Sequence, residues 1–245
     1  MARTSLIKDW ANVWELERID EVSSKDPAFK KVSEIMSGIK KKARILDAGS
    51  GLGRWVFYFQ KKGYKGFGVD VVPEAIKRAR EYAEKNKLNC DFRIADIRAL
   101  PFSKDFFSAI FSFVTIEHFS DSSKAVKEFY RTLEKGGKCF VTVPNVYSAR
   151  TFLTRPILKI LKNPKLGYQG YERSFTPKKL ARIMEEAGFK ETECGILPDG
   201  SFLGEFYRFI PVVGRSVFSL TKKISFEIEN RQSFLGHTTY CIGTK

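Results

Sequence analysis

Histidine and paired cysteine are what this sequence has least of. Two histidines, His118 and His237, stand in 245 residues, and no H-E-x-x-H or H-x-x-x-H spacing occurs, so a histidine-based metal centre is not expected. The four cysteines, Cys90, Cys139, Cys194 and Cys241, form no C-x-x-C pair. That spacing argues against a zinc site and a disulfide framework, and the expectation is four reduced packing residues. Long apolar runs are missing too. The longest candidate, Phe106 to Ile116, is broken by Ser108, Ser112 and Thr115, far short of the roughly 18 apolar residues a spanning helix needs. Lys8, Asp9 and Asn12 fall where an export signal would need its apolar stretch, so the expected location is cytoplasmic. Acid is scarce as well: 28 Asp and Glu against 43 Lys and Arg give a formal charge of +15, which enriches anions at the surface, whether nucleic acid, lipid headgroup or phosphorylated substrate.

What is present is an alternation of short apolar strands and amphipathic helices. Ala43 to Gly49 reads as a buried strand running into a glycine turn, and Arg54 to Lys62 as a helix closed by Gly63. Gly66 to Asp70 is a second strand. Pro73 opens a helix whose stripe is Ala75, Ile76, Ala79 and Ala83. Strands at 90–94, 107–114 and 138–143, with a helix at 122–133, continue the rhythm. They predict an α/β fold: a doubly wound, mainly parallel seven-stranded sheet with helices on both faces. A helix at 177–187, a strand at 189–196 and an antiparallel last strand at 238–243 complete it. The chain reads as one domain, with an N-terminal helical segment (1–40), a cofactor-binding core (41–145) and a helical cap from segments 146–175 and 198–236.

The chemistry gathers at the strand ends. Asp47-Ala-Gly-Ser-Gly-Leu-Gly53 places glycines at alternate positions, removing Cβ atoms where backbone must approach a ligand. The spacing is G-x-G-x-G, not the dinucleotide G-x-G-x-x-G. Asp47 before the loop favours an ammonium or sulfonium over a pyrophosphate. Asp70 ends the second strand where such sheets accept ribose hydroxyls. Asp96 follows the third strand, where it can accept from an exocyclic amine while Ile97 and Val71 cover the ring faces. The other reading of each acid is a turn former or helix cap.

These residues carry a resemblance. Ile45-Leu-Asp-Ala-Gly-Ser-Gly-Leu-Gly53, Gly68-Val-Asp70, Ala95-Asp96-Ile97 and Ile116-Glu-His-Phe119, followed by the Gly136-Gly137 turn and Arg173-Ser-Phe-Thr-Pro177, resemble the class I S-adenosylmethionine-dependent methyltransferases of the small-molecule, ubiquinone-biosynthesis-like group. The resemblance reaches about residue 190. It implies S-adenosylmethionine as cofactor: Asp47, Gly49, Ser50, Gly51 and Gly53 around its methionine part, Asp70 at the ribose, Val71, Asp96 and Ile97 at adenine, and the main chain near Phe113 in contact. Tyr171 departs from the histidine that the group often has in that segment.

For catalysis, His118 at the sheet's carboxyl edge is the candidate base for a hydroxyl acceptor; its alternative is to cap the next helix and orient Glu117. Glu117, Tyr171 and Arg173 are substrate candidates that could equally anchor a loop. Trp10 and Trp14, or Arg54 and Trp55, could close the cofactor pocket or simply pack. Segments 135–171 and 206–226 contain no acid and mix apolar with basic residues at helical spacing. They read as faces for an anionic membrane surface, or as a cover packed over an apolar substrate pocket. The leading function is methyl transfer to a small or lipid-like acceptor at O, N or C. The alternatives are RNA or protein methylation, nucleic acid being left open by the charge, and a non-catalytic cofactor-binding partner subunit.

Overall fold

The structure, a computed structural model, describes Trp10, Trp14 and residues 19–148, 150–154, 156, 171–198, 224, 226–228 and 236–245. In chain order the elements are α1 (Phe29–Ser37), β1 (Arg44–Ala48), α2 (Arg54–Lys61), β2 (Lys65–Asp70), α3 (Pro73–Lys85), β3 (Asp91–Ile94), β4 (Phe107–Phe113), a 3-10 turn (Ile116–His118), α4 (Ser122–Thr132), β5 (Leu133–Pro144), α5 (Pro177–Glu186), β6 (Lys190–Leu197) and β7 (Thr238–Thr244). The strands form one sheet in the order β3-β2-β1-β4-β5-β7-β6. The β1, β2, β3, β4 and β5 neighbours pair in parallel, whereas β7 runs antiparallel to both β5 and β6.

Strand order reverses between β1 and β4, and in open α/β sheets the crevice for a ligand opens at the carboxyl ends beside that point. The period-two alternation that creates two buried faces is explicit. Ile45, Phe111 and Phe140 pack with Val32 and Met36 of α1 and Trp55 and Phe59 of α2. Leu46, Ile110, Cys139 and Val141 pack with Val126 and Phe129 of α4 and Leu180 and Met184 of α5. Both faces being covered explains why the strands read as continuous apolar runs.

Three local expectations change. The N-terminal segment 1–40 is not helical throughout: residues 19–28 form a turn-bearing stretch before α1, in which the Asp26 N–H donates to the Ser23 carbonyl (3.0 Å) and the Asp26 carboxylate accepts the Ser23 N–H (2.7 Å). Pro27 disfavours helical backbone at the residue before it. Strand β5 begins at Leu133, five residues early, with an irregularity between Phe107 and Ala109 in its pairing with β4. Cys194 and Cys241 are not reduced packing residues but a disulfide. Antiparallel pairing of β6 with β7 sets them directly opposite each other, a proximity that 47 residues of separation conceal in the sequence. Most of the basic-apolar stretches 148–171 and 206–226, and of the cap, lies outside the described residues. Among the described residues no helix is long and apolar enough to cross a membrane.

Gly53 joins the loop to α2 in the left-handed region (φ +84°), and a Cβ there would lie 2.6 Å from the buried Phe92 ring. Gly136 is also left-handed (φ +75°) but has nothing within 4 Å of its virtual Cβ. Gly136→Ala is therefore expected to cost only the conformational penalty of about 1–2 kcal/mol, and Gly53→Ala measurably more. Urea unfolding midpoints of the two variants check the order.

Candidate active site

Loop 49–53 is bound down onto the end of β2. The N–H groups of Gly49 and Ser50 both donate to the Val69 carbonyl (2.8 and 2.9 Å), that of Gly51 to the Asp70 carboxylate (2.9 Å) and that of Gly53 to the Ser50 carbonyl (2.8 Å). Four backbone donors that a phosphate would need are thus consumed internally. The glycines serve close packing: a Cβ on Gly49 would sit 2.3 Å from the Thr115 side chain, and one on Gly51 2.7 Å from the Trp14 ring. Neighbouring N-terminal Trp10 stacks on Trp14 (5.2 Å, 20°), and Arg78 donates to the Trp14 carbonyl.

Two carboxylates lie buried beside this loop. Asp70 accepts from Gly51 through Oδ2 and from Val72 N–H through Oδ1 (2.9 Å each). Burial raises its pKa, and those backbone donors offset only part of the rise. Asp47 is 2% exposed and its Oδ1 has no hydrogen-bond partner, as has the Ser50 hydroxyl. Burial first, and the Asp70 charge second, push Asp47 up to about 8, against the opposing Arg54 guanidinium.

A cavity of about 200 Å³ opens at the carboxyl edge of β1, β2 and β4, lined by Gly49, Asp70, Val71, Val72, Phe113, Val114, Thr115, His118, Phe119, Trp10 and Trp14. Phe113 is fixed by a parallel stack on Trp55 (4.6 Å, 12°). Val114 holds φ +49° while its N–H donates to the Thr142 carbonyl (3.0 Å). For a β-branched residue this is a strained conformation, of the kind that gathers where a site demands it.

His118, 5% exposed, faces the Tyr171 carbonyl through Nδ1 (3.0 Å). A carbonyl only accepts, so Nδ1 carries the proton and the Nε2 lone pair is the basic one in the neutral ring. Nε2 lies 3.8 Å from Oε1 of the fully buried Glu117, and the Trp10 ring meets the imidazole edge-on at 5.2 Å.

The other sequence candidates are placed differently. Arg173 donates to the Phe119 carbonyl (2.8 Å) and to the Ser122 hydroxyl, fastening residues 171–175 to the start of α4. Tyr171 meets His118 through its main chain, its side chain being partly exposed. Asp96 is gripped by Arg98, whose Nε and Nη2 lie 3.0 and 2.7 Å from its oxygens, and neither Asp96 nor Ile97 lines the cavity. Four lining residues, Val72, Val114, Thr115 and Phe119, escaped the sequence reading, although the rule that ligands sit beyond carboxyl strand ends points at Val114 and Thr115. Among the described residues no cluster of His, Cys, Asp and Glu could hold a metal ion.

Comparison with known proteins fits this geometry. The family model described as "Methyltransferase domain" matches residues 46–141. A demethylmenaquinone methyltransferase of Thermus thermophilus is 31% identical over 165 residues, 60% of this chain and 74% of that protein. The chain belongs to the class I S-adenosylmethionine-dependent methyltransferases. A ubiquinone biosynthesis O-methyltransferase of Methylocella silvestris is 30% identical over 153 residues, 61% of this chain, which spans 60% of that relative's length. Among solved structures, phosphoethanolamine N-methyltransferase 2 of Haemonchus contortus, in complex with phosphomonomethylethanolamine and S-adenosylhomocysteine, superimposes with a TM-score of 0.65 at 18% identity, over 97% of this chain and 56% of that one. At that identity the likeness is one of fold. The family's cofactor, S-adenosylmethionine, fits the residues present here: a buried Asp47 oxygen without a partner, no spare phosphate-binding donors among those four amides, and an apolar wall beside Asp70.

The raised pKa of Asp47 gives a stability signature. Between about pH 4, where the unfolded aspartate ionises, and about pH 8, the folded chain holds a proton that the unfolded chain has lost. Stability therefore falls as pH rises through that window, by up to about 1.4 kcal/mol per pH unit. Asp47→Asn, neutral throughout, is expected to gain on the wild type in urea midpoint between pH 5 and pH 8. A gap independent of pH would refute the assignment.

Proposed function

We propose that this chain transfers a methyl group from S-adenosylmethionine to a small, apolar, quinol-like acceptor. The carrying observation is one cavity whose lining brings Gly49 and Asp70 together with His118, Trp10 and Phe119. The names of the two relatives, which refer to ubiquinone biosynthesis and demethylmenaquinone, support the acceptor class.

When bound, the cofactor supplies an electrophilic methyl on a sulfonium. The chain's part is to hold nucleophile and methyl in line and keep water out. In this reading Asp47, with Gly49, Ser50, Gly51 and Gly53 allowing close approach, holds the methionine part through its ammonium, and Asp70 takes the ribose hydroxyls. Val71 packs on the base, and Asp96, oriented by Arg98, stands with Ile97 at the adenine end. Phe113, stacked on Trp55, forms the floor between donor and acceptor.

His118 is the base for a hydroxyl acceptor: Nε2 takes the proton, Nδ1–H stays on the Tyr171 carbonyl, and the Glu117 carboxylate favours the imidazolium that forms. Arg173 and the Tyr171 main chain serve by positioning His118 and the loop rather than by touching the acceptor. The exposed Phe152 and Tyr147 beside Arg150, in a stretch without acids, support contact with a lipid-like acceptor or an anionic membrane surface.

Calorimetric titration with S-adenosylmethionine and S-adenosylhomocysteine tests the cofactor half: wild type binds both, and Asp70→Ala weakens binding by at least about 10-fold, the scale of a hydrogen bond to a charged group. No binding by wild type would sink the reading. For the acceptor half, His118→Ala is expected to lower kcat on a quinol acceptor about 100-fold to 10,000-fold with cofactor Kd unchanged. An unaltered kcat would return His118 to a structural role.

A further inference from the structure

Charge beside the glycine loop is paired unevenly. Asp47 is buried at the end of β1 with its Oδ1 unpartnered, and Arg54, the first residue after the loop, keeps its Nε buried and equally unpartnered. The guanidinium is not idle: its Nη2 reaches Asp26 Oδ1 at 2.6 Å, an ion pair between α2 and the turn that precedes α1. Asp26 is held in turn by the Ser23 N–H on its Oδ2. One carboxylate thus owns the guanidinium while another, deeper and with a vacant oxygen, does without it.

Below about pH 8 Asp47 escapes the cost of burial by keeping its proton, whereas a guanidinium, which cannot lose its own, would hold it ionised if it were free to turn to it. Their mutual influence is already felt, since the Arg54 charge opposes the upward shift of Asp47. Asp26 from the 23–26 turn and Asp47 from β1 bear on Arg54, and Asp20, Glu21 and Lys61 line a small pocket together with it, Glu21 being held by Lys61.

We propose that Asp26 and Arg54 are positioning residues: their ion pair anchors the guanidinium away from Asp47 and so reserves that carboxylate for the ammonium of the bound cofactor's methionine part. The inference rests on the reading of Asp47 as a cofactor group. Without Asp26, Arg54 turns to Asp47 and competes with the ligand. Asp26 would then govern cofactor affinity without touching the cofactor, and removing its partner would undo its loss.

The test is calorimetric titration of the full chain with S-adenosylhomocysteine, which retains the ammonium, in wild type and the variants Asp47→Asn, Asp26→Asn, Arg54→Met and Asp26→Asn with Arg54→Met. Thermal melts verify folding. The expected result is a loss of about 10-fold to 100-fold in Asp26→Asn, recovered to within about threefold of wild type in the double variant. A merely structural Asp26 would give a double variant as weak as Asp26→Asn, and that outcome, or an Asp26→Asn that binds like wild type, overturns the proposal. Should Asp26→Asn not fold, Arg54→Met decides the matter with the turn intact: affinity within about threefold of wild type supports the latch, and a loss of about 10-fold or more assigns Arg54 a direct role and refutes it. Asp47→Asn separates the two levels. If it binds as wild type, the cofactor role of Asp47 fails and the latch with it; if it weakens while Asp26→Asn does not, only the latch fails.

Discussion

Two carboxylates buried against one glycine loop set the terms for the whole carboxyl edge of the sheet. Asp47 and Asp70 end adjacent parallel strands, so the pairing of β1 with β2 forces them into one neighbourhood. Both are buried, Asp70 at the cavity wall, and the loop between them has already spent its amides on Val69, Asp70 and Ser50. What remains is an acidic, donor-poor corner. The four committed amides are lost to a phosphate, whereas a cation gains from the two carboxyl groups. The preference for a sulfonium and ammonium ligand over a dinucleotide follows from that allocation of hydrogen bonds.

The wall opposite the carboxylates is built by side chains from distant parts of the chain. Trp14 covers Gly51 and stacks on Trp10, which meets His118, so one N-terminal stretch touches both the cofactor loop and the candidate base. On the far side Arg173 ties the segment that follows β5 to the start of α4, and the Tyr171 carbonyl fixes the tautomer of His118. That carbonyl lies 53 residues away in the sequence. Strain at Val114 belongs to the same design: its N–H is held by Thr142 while its left-handed backbone turns the chain into the cavity wall.

The sequence was legible wherever a property is local or periodic. Alternating strands and helices, Pro73 at a helix start, Gly63 and Gly188 at helix ends, and the glycine loop between Asp47 and Arg54 each carry their signal within a few residues, which is why the α/β sheet and the corner formed by Asp47 and Asp70 could be read directly. That parallel strands need crossovers follows from the same rhythm, but the place where strand order reverses, between β1 and β4, is seen only in the sheet itself.

Only the tertiary structure decided which distant residues meet. Cys194 faces Cys241 because β6 and β7 pair in one register; Arg173 turns its Nη2 to Phe119 and Ser122; Asp96 is gripped by Arg98; Arg54 reaches Asp26 instead of Asp47. Each outcome is a competition among several partners of similar chemistry, settled by separations of a few ångströms that no local pattern encodes. The sequence by itself determined the sheet and the kind of ligand its edge can hold; packing across the fold determined which side chains are left available to hold it.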